Sequence, residues 1–401
     1  MKYETARQNP PNLVCAVPIV MPLNLDYDTY FPGGVLWEEF ALMLSRIGFG
    51  PTIRDNLAAR PLKNEAWQAL AANFVKGEDI RAPMLFTGGW YDIYIDGVIS
   101  AFETVRAKGG EKARARSRLI IGPWVHGIDQ VKNGQLEFPT AHLFGMKKAR
   151  AFVDYWVRGA PNGFDKTEAP ITYFQMGANE WRTTESWPPK NSREQAYYLG
   201  SDKTLSTQMP KGNAAPLTFR YDPANPVPTV GGHVLTPELQ PGPADQREKV
   251  ESRGDVLVFS TPVLEKDLAI TGKVKVKLFV SSDRPDTDFT AILTDVYPDG
   301  RSMSTTEGIR RMRLRNSIAK EELLKPGEVY PVTIELTNTA LTFLKGHRVR
   351  VIISSSNYPK YALNLNDGGP MYKKGPGLAA TNSVYISKQQ PSALILPVVA
   401  R

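Results

Sequence analysis

The sequence predicts two structural regimes in one chain: an α/β layer carrying a helical insertion, followed by an all-β sandwich. Three observations lead there. The stretch 83–127 reads as strand, helix, strand; residues 23–79 place apolar side chains three and four apart; and beyond residue 191 short alternating segments are separated by Gly, Pro and Asp turns. A chain of 401 residues exceeds one ordinary core, so two or three domains are expected. The 32 glycines and 32 prolines are consistent with a turn-rich β portion.

Residues 1–20 read as the tail of a helix, a turn at Asn9-Pro10-Pro11 and a buried strand over 13–19. Cys15 lies in the apolar run LVCAVPIV; as the single cysteine it excludes an internal disulfide, and it reads as a buried, inert thiol. In the insertion, LWEEFALMLSRIG and NEAWQALAANFV have helical periodicity. Tyr27, Tyr30, Phe31 and Trp37 are candidates for a pocket wall there, with core packing the commoner role of such residues.

The centre of the chain is PMLFTGGWYDIYIDGVISAFETV and, after a basic connector, RLIIGPWVHG. Two short apolar runs ending in glycine flank a helix, which makes a parallel pair with a crossover. Ligands of parallel sheets sit beyond the carboxyl ends of the strands, where Asp92 and His126 fall. Singly, Asp92 also reads as a helix N-cap and His126 as a hydrogen-bonded loop residue. Their equivalent positions at neighbouring strand ends, with Gly88, Gly89 and Gly122 available for sharp turns, favour an acid and base pair.

Residues 142–159 form an amphipathic helix with a glycine cap, holding His142 and Asp154 in structural roles. A connector over 160–190 holds a strand and a turn around Gly177-Ala178-Asn179 and ends in Trp187-Pro188-Pro189, a stiff linker. KVKVKLFVSS, VYPVTIELT and HRVRVIISSS then alternate as strands with one wet face. His347 reads as a turn residue, and His233 has no visible partner. Asp286, Asp288 and Asp295 lack the spacing of a calcium loop and read as turn and strand-end groups; no metal or phosphate motif occurs, and no cofactor is expected.

The net charge is +8, but the densest basic runs, 108–118 and 310–315, read as a solvated helix end and a half-exposed segment, so nucleic acid is not expected as a partner. No apolar stretch reaches membrane-span length and the first residues lack a signal-peptide core. The chain as given reads as cytoplasmic, with the provision that an export signal could be lost with the N-terminus.

GGWYDIY followed by LIIGPWVHG resembles the acid and histidine segments of the cocaine esterase and X-Pro dipeptidyl-peptidase (CocE/NonD) family. Similarity continues through the NPP-x-L run, GANEW, the Trp-Pro-Pro, and DTDFTAILTDVYPDGRS, KGHRVRV and SSSNYPKYALNLN. The resemblance implies a partial α/β-hydrolase fold over 1–22 and 80–160, a helical cap over 23–79, a connector over 161–190 and a C-terminal jelly-roll β-sandwich over 191–401. It implies Asp92 as triad acid, His126 as triad base, and Trp90, Tyr91 and Trp124 as candidates for the substrate pocket. Ester, amide or peptide substrates of small-molecule size follow from it.

In that family the order is Ser, Asp, His, with the serine on a glycine-flanked elbow. No Gly-x-Ser-x-Gly occurs in the 401 residues, and serines such as Ser201 and Ser354 sit in turn or strand patterns. The elbow is therefore expected before residue 1, in a separately encoded N-terminal half or a lost start, and the 401 residues alone are expected to show little or no hydrolysis. The alternative expectation is a non-catalytic sandwich that binds carbohydrate or protein.

Overall fold

The computed structural model describes residues 2–164 and 169–400. Strands Leu85–Gly89 and Arg118–Gly122 pair in parallel, with Phe86 opposite Leu119 and Gly89 opposite Gly122. Ile171–Gln175 adds a third parallel strand and Glu180–Thr184 an antiparallel fourth. Helix Ile95–Lys108 is the crossover between the first two. Its buried residues Ile95, Val98, Ile99, Phe102 and Val105 recur at helical spacing, so one apolar stripe covers the sheet.

The segment expected as a buried strand over 13–19 lies at the sheet's edge and is largely irregular. It meets the first strand at the parallel bridges Ala16 to Met84 and Ile19 to Thr87. Pro18 has no N–H to donate, which interrupts a ladder. Before the first bridge, Val14 is 47% exposed and Cys15 is only half-buried. Burial nevertheless pushes the Cys15 thiol above its ordinary range.

The insertion is helical, in short pieces. Asn64 caps Glu65–Ala71 by accepting from Ala66 N. Glu38–Leu44 passes into a π turn, Ser45–Phe49, and Gly48 at φ 98° ends the helical path within the expected longer helix. Tyr27 and Phe31 stack at 4.9 Å with Trp67 edge-on to Tyr27 at 5.4 Å, so these rings form a core that the insertion shares with Ala362 and Tyr372. Of the four aromatic candidates, Trp37 faces the large cleft described below.

Two antiparallel sheets follow. One has the order Leu257–Ser260, Arg348–Ser354, Asp288–Val296, Ser302–Arg311. The other is built around Leu268–Ser282, which pairs with Tyr330–Phe343, Ala380–Tyr385 and Ala393–Val399. Phe289, Leu293, Val351 and Ile353 from the first share one core with Val276, Leu278, Ile334 and Leu394 from the second.

The connector holds the strand and turn read from its sequence: Ile171–Gln175 and, after the turn, Glu180–Thr184 extend the first sheet, and Met176 exchanges backbone bonds of 3.0 and 2.8 Å with Ala340 and Thr342. Residues 165–168 of that connector lie outside the described residues. Two other expectations change. First, His142 precedes its helix, Phe144–Arg158, and faces the Asp129 carbonyl oxygen at 3.0 Å through Nδ1. Finally, the basic run 310–315 is not half-exposed throughout. Arg311 and Arg313 are 1% and 4% exposed and bond Asp288 and Asp286, so those aspartates serve as internal counterions. Burying an arginine is tolerable only with such pairing.

Candidate active site

Strand Leu85–Gly89 delivers the chain to a tight turn in which Asp92 N donates to Gly89 O at 3.0 Å. Asp92 is fully buried and divides its oxygens. Oδ1 accepts from Tyr94 N at 2.8 Å, just before helix Ile95–Lys108, and Oδ2 lies 2.6 Å from His126 Nδ1. Asp92 is therefore not the helix N-cap, a position that falls to Tyr94; its Oδ1 closes a local turn two residues on while Oδ2 meets the histidine.

The glycines act by closeness. Gly89 and Gly122 have ordinary negative φ, but a Cβ on Gly89 would lie 2.2 Å from the Trp124 carbonyl oxygen, and one on Gly122 would lie 2.4 Å from the Trp124 ring. Without side chains there, Trp90 N donates to Gly122 O at 2.9 Å and Tyr91 N to Trp124 O at 3.0 Å. The Asp92 loop and the His126 loop are therefore stitched together by backbone bonds.

His126 sits on the loop after strand Arg118–Gly122. Val125 N donates to the buried Asn133 Oδ1, and Asp129 accepts from Gly145 N at 2.9 Å and Met146 N at 2.7 Å, anchoring the loop to the start of helix Phe144–Arg158. Burial lowers the His126 pKa, but the Asp92 hydrogen bond and charge outweigh it, and the net shift is upward. The Tyr94 ring stands edge-on to the imidazole at 5.6 Å.

Three histidines pair with acids: His126 with Asp92, His233 with Glu307 and His347 with Asp295. Exposure separates them. The His126 side chain is 38% exposed, whereas those of His233 and His347 are 1% and 9% exposed. With Nδ1–H donating to Asp92 Oδ2, a neutral His126 keeps a lone pair on Nε2, the arrangement needed to accept a hydroxyl proton.

The expected pocket residues are placed differently. Trp90 and Trp124 are wholly buried and Tyr91 nearly so. Trp90 donates from its indole to Phe174 O at 2.7 Å and packs on Trp187, and Trp124 packs against Trp181. They are core because the loop folds inward over the sheet end, turning its bulky apolar groups away from water. The large cleft, about 840 Å³, instead runs between the insertion, helix Ile95–Lys108 and the sandwich, where Trp37, Ile93, Tyr94, Lys273 and Lys360 help to line it.

Sequence reading missed His233. It is fully buried, with Nε2 2.8 Å from the Trp90 carbonyl oxygen and Nδ1 3.0 Å from Glu307 Oε1; Lys360 donates to the same carboxylate. Its partners lie 74 and 143 positions away in the chain, so no local pattern marks it. Among the described residues no group of three or more His, Cys, Asp or Glu could hold a metal ion.

Comparison with known proteins places this geometry in context. The family model described as the X-Pro dipeptidyl-peptidase C-terminal non-catalytic domain matches residues 162–395, and the X-Pro dipeptidyl-peptidase (S15 family) model matches residues 43–128. The first of these takes in strands Ile171–Gln175 and Glu180–Thr184, which in the fold extend the first sheet. The chain is 36% identical over 366 residues to cocaine esterase of Rhodococcus sp. (strain MB1 Bresler), covering 88% of this chain and 62% of that protein. It therefore spans about three fifths of that relative's length. An α-amino acid ester hydrolase structure superposes with a TM-score of 0.84 at 26% identity, covering 99% of this chain and 74% of that one. An aminopeptidase structure from a marine sediment archaeon, Thaumarchaeota archaeon, gives 0.82 at 25% identity, covering 96% and 72%. Matched by a family model over more than half its length, this chain belongs to the cocaine esterase and X-Pro dipeptidyl-peptidase (CocE/NonD) family.

Proposed function

We propose that this chain supplies the acid and base of a serine hydrolase acting on ester or amide bonds, and that the nucleophilic serine comes from a segment outside these 401 residues. The observation that carries the reading is the 2.6 Å contact between buried Asp92 and the solvent-reaching imidazole of His126. In this mechanism His126 Nε2 takes the serine proton as the oxygen attacks the carbonyl carbon, then returns it to the leaving alcohol or amine. Asp92 holds the tautomer and stabilises the imidazolium. Water then attacks the acyl-enzyme by the same route.

The irregular edge over 13–20 and the exposed apolar residues Val14, Met146, Val153 and Val157 support a covering segment. A partial α/β-hydrolase fold with a helical cap and a jelly roll is the arrangement this reading assigns. The substrate class rests on relatives named as an esterase, an ester hydrolase and an aminopeptidase.

A fluorophosphonate probe tests the proposal. The chain alone remains unlabelled, and mixing it with a separately produced serine-bearing N-terminal half restores labelling. Replacing Asp92 by Asn in the assembled enzyme lowers turnover by about 10⁴-fold. Stoichiometric labelling of the 401 residues alone refutes the missing nucleophile.

A second reading has its own observation. A groove of about 700 Å³ crosses the larger sheet of the sandwich, lined by Tyr198, Phe279, Lys277 and Glu194. A non-catalytic binding role for the sandwich predicts glycan or protein capture on that face, abolished by Tyr198→Ala, with no esterolysis even after the N-terminal half is added.

A further inference from the structure

We propose that His233 is a positioning residue for the Asp92 and His126 pair, holding the acid loop through the Trp90 carbonyl and fixing it to the sandwich. The proposal rests on the assignment of Asp92 and His126 as acid and base.

The contacts converge on one loop. Trp90 is pinned by its backbone N–H to Gly122 O, by its indole N–H to Phe174 O at 2.7 Å, and by its carbonyl to His233 Nε2 at 2.8 Å. A carbonyl only accepts, so Nε2 carries the proton of that bond. Thr337 Oγ1 lies 3.1 Å from the same nitrogen. On the other side of the ring, Glu307 Oε1 faces Nδ1 at 3.0 Å and also accepts from His233 N at 2.9 Å. Gly232 lies so close to that carboxylate that a Cβ there would stand 2.6 Å from Oε1.

The same loop reaches the insertion. Glu39 Oε1 accepts from Leu235 N at 3.0 Å and Thr236 N at 2.8 Å, while Lys360, bonded to Glu307, lies 4.7 Å over the Trp37 ring. Sandwich, insertion and acid loop therefore meet around the segment 233–236, with the sandwich and the acid loop joined through the His233 imidazole itself. Remove it and the Trp90 carbonyl is left buried without a partner, two residues from Asp92, and the acid loop loses one of the bonds that set its tilt toward His126. The titratable groups facing His233 are Glu307, Lys360 through that carboxylate, and Tyr91, whose ring is 6.1 Å away; those facing His126 are Asp92 and Tyr94.

The experiment uses nitrogen NMR of the chain labelled at its four histidines. In the parent, Nε2 of His233 is protonated; a bare Nε2 overturns the proposal without any variant. His233→Asn keeps a donor toward Glu307 but falls short of Trp90, and it lowers the His126 titration midpoint by about one unit, a tenfold change in its protonation equilibrium. His233→Gln restores a donor at the Nε2 place and keeps the parent midpoint. Far-UV circular dichroism verifies the fold of each. A folded His233→Asn chain with the parent midpoint overturns the proposal. Should that variant not fold, His233→Gln decides, since a tenfold change there has the same overturning force. Asp92→Asn separates the two claims. If it leaves His126 unmoved, the acid and base assignment has failed; if it moves His126 while His233→Asn does not, only the positioning role has failed.

Discussion

Replacing Gly89 by alanine probes the joint between the loops that carry Asp92 and His126. The added methyl would sit 2.2 Å from the Trp124 carbonyl oxygen and 2.7 Å from its carbon, against 3.4 Å or more for ordinary contact. Backbone is the obstacle, so no side chain can swing aside, and the carbonyl must retreat by roughly 1 Å in a close-packed interior. That carbonyl accepts the 3.0 Å bond from Tyr91 N, which would stretch beyond useful range. Overpacking costs about 1–3 kcal/mol and the lost bond about 1 kcal/mol, so Gly89→Ala is expected to destabilise the chain by about 2–4 kcal/mol. The displaced atoms lie two residues from His126 and on the strand leading to Asp92, so the His126 midpoint also moves down toward 6.5. Urea unfolding followed by tryptophan fluorescence reads the first effect and histidine NMR the second. Gly254→Ala is the control: it meets open space and should change stability by no more than about 0.5 kcal/mol. A Gly89→Ala chain as stable as that control, with His126 unmoved, would refute the reasoning.

Asp92→Asn removes the negative charge that helps to raise His126 and leaves the opposing burial, so its midpoint should fall from the parent's. A histidine raised by folding adds stability in full below its unfolded pKa of about 6.5, and that stability is lost as pH rises through the folded value. The parent's urea midpoint should therefore climb on acidification through that window, and the variant's should not; equal climbs would count against the pair. In the sandwich, Arg311→Met strands a buried Asp288 that is 1% exposed, with an expected loss of about 3–5 kcal/mol. Arg311→Met combined with Asp288→Leu should recover most of it, and a single-variant loss under about 1 kcal/mol would show that the pair carries no such penalty.

Much of this protein is legible in its residue order because the signals are local. Period-two alternation in KVKVKLFVSS yields strand Leu268–Ser282, helical spacing after Tyr94 yields Ile95–Lys108, and glycine closes helix Phe144–Arg158 at φ 66°. Asp92 and His126 were candidates for the same reason: each follows a short apolar strand, and parallel strands end on one rim. What the order of residues could not supply was which buried groups meet. Trp90, Tyr91 and Trp124 look like pocket aromatics in one dimension, yet the turn after Gly89 folds them inward. Arg311 and Arg313 alternate with apolar residues as a wet strand would, and only the return of Asp286 and Asp288 across the sheet allows them inside. His233 owes its partners to chain segments that folding alone brings within 3 Å. Periodicity is written in neighbours along the chain, whereas pairing of buried charge and the 2.6 Å approach of Asp92 to His126 depend on where distant strands end. That was decided by the tertiary packing.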